Sequence, residues 1–218
     1  MQVATPKKGY KLVKTSFGKY EEIPEEWEYD DFKKLVFFQE GPGLRHWQFT
    51  TKGMKVINVT NLVDGKLDLT TTERYISLEE FNKTYSHFAI DANDIVIASS
   101  GNSYGKVAVV SERDLPLMMN TSVIRFRPNN DDQVNRKFLR YFLESTSFKK
   151  QIEILITGAA QPNFGPIHLN QMKIICPKLT EQKQIASIQR ETKTNKTKTK
   201  TKRIHPANNN KTMPNKNQ

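Results

Sequence analysis

The side chains best suited to chemistry fall in two short loops. Leu44-Arg-His-Trp-Gln48 follows Gly41-Pro42-Gly43, so an arginine, a histidine, a tryptophan and a glutamine share one Gly/Pro-bounded segment. Arg45 carries the planar fork that suits guanine N7 and O6, and Gln48 the amide that suits adenine N6 and N7 in a major groove. Trp47 could wedge or stack there; it reads equally as a core anchor beside a solvated Arg45. His46 completes the group. The second loop, Gly101-Asn-Ser-Tyr-Gly105, joins two apolar runs and could offer backbone N–H groups to a phosphate, although a plain turn has the same sequence. Asn102, Ser103 and Tyr104 are its groove-contact candidates. Lys52, Lys106 and Gln161 are secondary ones.

Catalytic chemistry finds no matching pattern. The four histidines, His46, His87, His168 and His205, stand at no metal-ligand spacing with a cysteine or with one another. Neither G-x-S-x-G nor G-x-x-x-x-G-K-[ST] occurs. A metal-dependent nuclease needs carboxylates followed closely by a lysine. Asp91 and Asp94 precede a strand-like run, but Ser111-Glu112-Arg113 lacks that lysine. An adenine methyltransferase needs an Asn/Asp-Pro-Pro-aromatic loop, which Gln161-Pro162-Asn163-Phe164 only imitates. No catalytic residue and no metal site is therefore expected.

Composition sets the outer bounds. A hydrophobic fraction of 36% over 218 residues allows one ordinary domain with a tail. The single cysteine, Cys176, permits no intrachain disulfide and fits a reducing cytoplasm. Neither a signal peptide nor a membrane span of ~18 apolar residues is expected. The net charge of +11 points toward nucleic acid, but its distribution weakens that inference. Residues 189–218 hold nine Lys/Arg and one acid, whereas the other 188 residues hold 25 Lys/Arg and 22 acids.

The positioning elements read as α+β. Ile23-Pro-Glu-Glu-Trp27 opens the domain after a polar lead-in. Asp31 to Phe38 suits a short helix or strand. Lys55–Val59 and Lys66–Leu69 flank an Asp64-Gly65 turn, and Ser77-Leu-Glu-Glu80 is a capping box for a helix to about Tyr85. Asp94–Ala98 and Lys106–Val110 are strands around the second loop, and Ser122–Phe126 alternates like a half-buried strand. Phe138, Leu139, Phe142 and Leu143 make one apolar stripe in a helix over residues 133–147. Met172–Cys176 is a strand ended by Pro177, and Thr180 is placed to cap a helix through Ile188.

The order of these pieces resembles a target-recognition domain of type I restriction–modification specificity subunits. The resemblance rests on Gly158-Ala-Ala-Gln-Pro-Asn-Phe164, Met172-Lys-Ile-Ile-Cys-Pro177, Leu179-Thr-Glu-Gln182 and Ile185. It is supported by Ile23-Pro-Glu-Glu-Trp27, Lys55-Val-Ile-Asn-Val-Thr-Asn61 with Gly65, and Asn93-Asp-Ile-Val-Ile-Ala-Ser-Ser-Gly101 with Gly105. Asn93 stands where the family usually has glycine. Gly101, Gly105, Gly158, Gln161, Pro177, Glu181 and Gln182 match family motifs. All but Gln161, a secondary groove candidate as well, are read purely as structural.

The resemblance implies a fold of mixed, mostly antiparallel strands with short helices. It places the lead-in at 1–22, the recognition domain at 23–178 and the start of a spacer helix at 179–190; the composition of 191–218, nearly without apolar residues, makes that stretch a basic, disordered tail. It implies a non-catalytic module that reads one half of a split target in double-stranded DNA for methyltransferase and restriction subunits, with a second specificity half-subunit as a further partner. S-adenosylmethionine, ATP and Mg2+ would sit on those partners and none on this chain. The family continues with a heptad-patterned helix, whereas here the apolar pattern stops at Ile188 and a Lys/Thr tract begins, as a shifted or truncated reading frame would produce; a natural basic tail that adds non-specific DNA affinity is the rival reading. An orphan or truncated DNA-binding or interaction module without restriction partners is the alternative.

Overall fold

The computed structural model describes residues 5–70, 73–156 and 162–204, with side chains through Thr192. Two four-stranded sheets and a helical layer form the body. In the first sheet the antiparallel order is Val107–Val109, Ile95–Ala98, Val123–Pro128, Val36–Glu40. In the second it is Tyr75–Ile76, Met54–Ile57, Leu117–Met119, Ala89–Ile90, where only the central pair runs parallel.

Alternation along each strand feeds two different cores. Ile95, Ile97, Ile124 and Phe126 face the helices and meet Phe138, Leu139, Leu143, Phe148 and Ile152. Val96, Ala98, Ala108 and Val123 face the second sheet and meet Ile57, Leu117 and Met119. Each large side chain buried this way contributes about 1.5–3 kcal/mol. Because both faces are covered, the strand Val123–Pro128 is not half-buried as its alternation predicts. Even Arg125 is 5% exposed.

The predicted helix over 133–147 is two helices. Arg136–Glu144 is capped by Asn135, whose side chain accepts from the N–H groups of Lys137 and Phe138. Ser145 then ends it and caps Thr146–Leu155, a helix the sequence reading does not anticipate. Ser77 caps Leu78–Glu80 as expected, and one π turn, Phe81–Tyr85, extends it. Met54–Ile57 and Lys66–Leu67 overlap the strands expected around Asp64-Gly65 but are shorter: Val59–Asn61 is a 3-10 turn, and the strand that pairs with Lys66–Leu67 is Leu62–Val63. Asn93 has φ of 67°, a left-handed conformation that asparagine tolerates better than most side chains, which explains how it replaces glycine.

The polar lead-in is itself structured: Tyr10–Lys14 and Tyr20–Pro24 form an antiparallel hairpin that buries Ile23. Lys173–Cys176 pairs with Glu28–Asp31, and the buried Gln151 amide bonds both the N–H and the carbonyl of Lys173. The last helix starts at Leu179, so Thr180 lies inside its first turn rather than at its cap. It runs to Ile204, past the boundary expected at Arg190, and no proline or glycine interrupts that stretch. Residues 205–218 lie outside the described residues.

Candidate nucleic-acid interface

Both candidate loops leave the first sheet at the same end, where Glu40, Val123 and Ala98 lie on neighbouring strands. There the strand Val36–Glu40 gives way to Gly41, whose backbone lies so close to Asn120 that a Cβ would collide with the Asn120 carbonyl oxygen. Asn120 donates to the Ile57 carbonyl, and Ser99 to the Ser122 carbonyl, which ties the strand ends together. Thr121 N–H bonds the Pro42 carbonyl at the base of the first loop.

Two apolar feet hold that loop. Leu44 and Phe49 pack on the third core cluster, with Met54, Val56, Ile76, Phe81 and Met118, and the Arg74 guanidinium lies over the Phe49 ring at 5.3 Å. Between the feet, the 3-10 turn His46–Gln48 lifts Arg45, His46 and Trp47 into solvent. Trp47 is 79% exposed, so the core-anchor reading of this residue gives way: Leu44 and Phe49 are the anchors. Gln48 faces inward. Its Nε2 donates to Glu80 Oε1 at 2.5 Å and to Tyr85 Oη at 3.0 Å, and its Oε1 accepts from Arg45 N–H at 2.7 Å. An amide so occupied shapes the turn and is not free to read a base. Lys52 is exposed just beyond, on the turn before Met54.

The second loop corrects its readings in a similar way. Gly101 and Gly105 have φ of 67° and 76°, conformations in which most side chains would be strained. The N–H groups of Tyr104, Gly105 and Lys106 donate to Gly101, Ala98 and Ser103 carbonyls. Those three donors close the turn and are not available to a phosphate. Ser103 is buried, and Tyr104 sets its ring edge-on to Phe164 at 5.8 Å, where burial pushes its phenol pKa up. Ser103 and Tyr104 therefore support the loop, while Asn102 and Lys106 remain exposed on it. Gly158 and Gln161 lie outside the described residues. The same end also carries exposed Thr60, Thr121 and Asn163, the last beside Ser100 through a strand bridge. Short polar loop residues like these have no distinguishing sequence pattern, and the sequence reading misses them.

The remaining motif residues gather beyond the far end of the strand Val123–Pro128. Trp27 Nε1 donates to Glu181 Oε2 at 3.0 Å, and Lys178 pairs with Glu26 at 2.5 Å. Gln182, fully buried, bonds the backbone of Gln133, Asn135 and Pro177. This junction closes the domain on itself. A second charged cluster braces the sheets. Burial pushes the Asp94 carboxyl pKa up, even though Arg127 and Arg125 stand within 4.0 Å and 3.8 Å of it. Among the described residues no three His, Cys, Asp or Glu side chains are grouped to hold a metal ion, and no helix is long and apolar enough to cross a membrane.

Residues 24–206 match the family described as the Type I restriction modification DNA specificity domain. The chain is 32% identical over 176 residues to the type I restriction enzyme MjaVIII specificity subunit of Methanocaldococcus jannaschii, covering 78% of this chain and 41% of that protein. It is 26% identical over 136 residues to the EcoAI specificity subunit of Escherichia coli, covering 61% of this chain and 22% of that one. The chain thus spans about two fifths or less of the curated relatives it matches. Its fold resembles that of the HsdS subunit from Thermoanaerobacter tengcongensis, with a TM-score of 0.61 and 15% identity over 85% of this chain and 41% of that one. A chain from a type I R-M system complex gives a TM-score of 0.60 at 15% identity, over 79% of this chain and 40% of that one.

Proposed function

This chain belongs to the type I restriction–modification DNA specificity family, and from that premise we propose that it reads one part of a DNA target through the loop end of its first sheet. The observation that carries the reading is the anchored turn. Leu44 and Phe49 hold Arg45, His46 and Trp47 outward, in a loop that leaves the first sheet at the end from which the Asn102 and Lys106 loop also leaves. Rigid anchoring matters because a base-reading side chain must arrive in register, while phosphate contacts only position the protein. Arg45 supplies the guanine-type fork and Trp47 an aromatic face for a groove wall or an unstacked step. Asn102, Lys52, Lys106 and the exposed Thr60, Thr121 and Asn163 are the neighbouring contacts.

The role is recognition without chemistry of its own. Methyltransferase and restriction subunits would supply catalysis together with S-adenosylmethionine, ATP and Mg2+, and the target base would be flipped into the methyltransferase. The Trp27, Glu181 and Gln182 junction would hold the recognition end in a fixed relation to the helix that leaves the domain.

Arg45→Ala tests the reading. On a duplex selected by this protein the variant is expected to lose about tenfold or more in affinity, since a bidentate base contact is worth about 1–3 kcal/mol, while binding to random duplex changes little. Equal losses on both duplexes, measured by fluorescence anisotropy, would remove Arg45 from base reading.

A further inference from the structure

We propose that the helical segment from Arg190 to Arg203 is a sequence-independent clamp on the phosphate backbone of the same duplex; the proposal rests on the DNA-reading function above. The charge of this protein is concentrated there. Seven Lys/Arg and one acid, Glu191, lie between Arg190 and Arg203, whereas residues 1–188 hold 25 Lys/Arg against 22 acids. The folded body therefore has little net charge with which to attract a polyanion. The arm adds to the few cations of the loops the densest run of positive charge in the chain, and with it counterion release.

The helix leaves the domain from the junction beyond the Pro128 end of Val123–Pro128, so the arm would meet phosphates at a distance from those the loops touch. One helix runs from Leu179 to Ile204, so the arm is a direct extension of the turn that Gln182 and Ala186 bury in the domain. The apolar pattern ends at Ile188, which is already 61% exposed. Beyond it the sequence alternates threonine and lysine and carries no apolar stripe. A helix without an apolar face has no core to seek, so charge is its remaining chemistry. At a rise of 1.5 Å per residue the fourteen residues span about 20 Å, close to one cation per 3 Å. Duplex DNA offers one phosphate charge per about 1.7 Å of axis, so the cations that share a helix face, such as Lys196 with Lys200 or Lys198 with Lys202, can each find a phosphate. The missing apolar face also argues against a membrane surface, where an interfacial helix must bury one.

The test uses the full chain carrying K196Q, K198Q, K200Q and K202Q together; glutamine has a helix propensity close to that of lysine, so the backbone is kept. Binding to the selected duplex and to random duplex is followed across a salt series. The slope of log affinity against log salt is expected to become shallower by about 2–4, at about 0.9 for each phosphate that the variant no longer neutralises. Affinity for both duplexes should fall by the same factor, so that the preference for the selected one is unchanged. An unchanged slope overturns the clamp. So does a variant whose lost binding is to anionic phosphatidylserine vesicles while duplex binding is intact. Failure of the DNA-reading function shows differently: the unmodified protein would then have no preference between the two duplexes.

Discussion

Replacing Gln182 with leucine is expected to lower stability by about 3–5 kcal/mol. The carboxamide is fully buried and, besides a contact of Nε2 with Cys176 Sγ at 3.2 Å, bonds three backbone groups. Oε1 accepts from Asn135 N–H at 2.8 Å, and Nε2 donates to the Gln133 and Pro177 carbonyls, each at 2.8 Å. Leucine fills similar space and satisfies none of the three. A buried group left without its partner costs about 1–3 kcal/mol. For a domain of this size the loss corresponds to a fall in Tm of about 10 °C. Gln182→Glu sharpens the prediction. The carboxylate keeps the bond from Asn135 but turns an oxygen toward two carbonyls, so the damage should match that of leucine at neutral pH and shrink in acid. Thermal unfolding followed by circular dichroism measures both. A loss below about 1 kcal/mol for leucine would mean that Gln182 does not hold the helix to the domain.

The second large effect is expected at Arg125. Its guanidinium donates to the Ala89 carbonyl and to the His87 carbonyl at 3.2 Å, stands 3.8 Å from Asp94 Oδ2 and covers the Phe37 ring at 5.2 Å. Arg125→Met would leave Asp94, which is fully buried, with Arg127 as its nearest cation, 4.0 Å away. Removing one member of a buried pair costs about 3–5 kcal/mol, because the other charge stays in the interior. Burial already raises the Asp94 pKa in the folded protein. A carboxyl raised in this way binds its proton more tightly folded than unfolded, so the variant's deficit should be present above the folded-state pKa and diminish as pH falls through it. Adding Asp94→Asn should recover part of the loss. Urea unfolding of the two single variants and the double variant checks this; strictly additive losses would show that Arg125 and Asp94 do not act as a pair.

Legibility in the sequence follows the range of the interactions. The strands Ile95–Ala98 and Val107–Val109 and the glycine-bounded turn between them are local and readable from pattern. The pairing of Val36–Glu40 with Val123–Pro128 joins segments far apart in the chain, and no local signal specifies it. For that reason the alternation of Ser122–Phe126 suggests only a half-buried strand. The helix break at Ser145 is hidden because Phe142, Leu143 and Phe148 continue one apolar rhythm across it. At the candidate interface, residue type indicates the chemistry but not the direction. Arg45, His46 and Trp47 point to solvent, whereas Gln48 is held by Glu80 and Tyr85, 32 and 37 residues on. Ser103 and Tyr104 turn inward for the same kind of reason, since Phe164 packs against the tyrosine from another segment. Gln182 stands out as part of a motif, but its partners Gln133 and Asn135 lie 49 and 47 residues before it, and only the fold brings them together.

The central claim, that the loop end of this domain reads DNA sequence, is tested most directly by selection from a random duplex library with the full chain at moderate salt. One short motif should be enriched, and the enrichment should collapse when Arg45→Ala and Trp47→Ala are combined, although the protein remains folded. Enrichment of no motif, or of the same motif with equal strength by the double variant, would contradict the account.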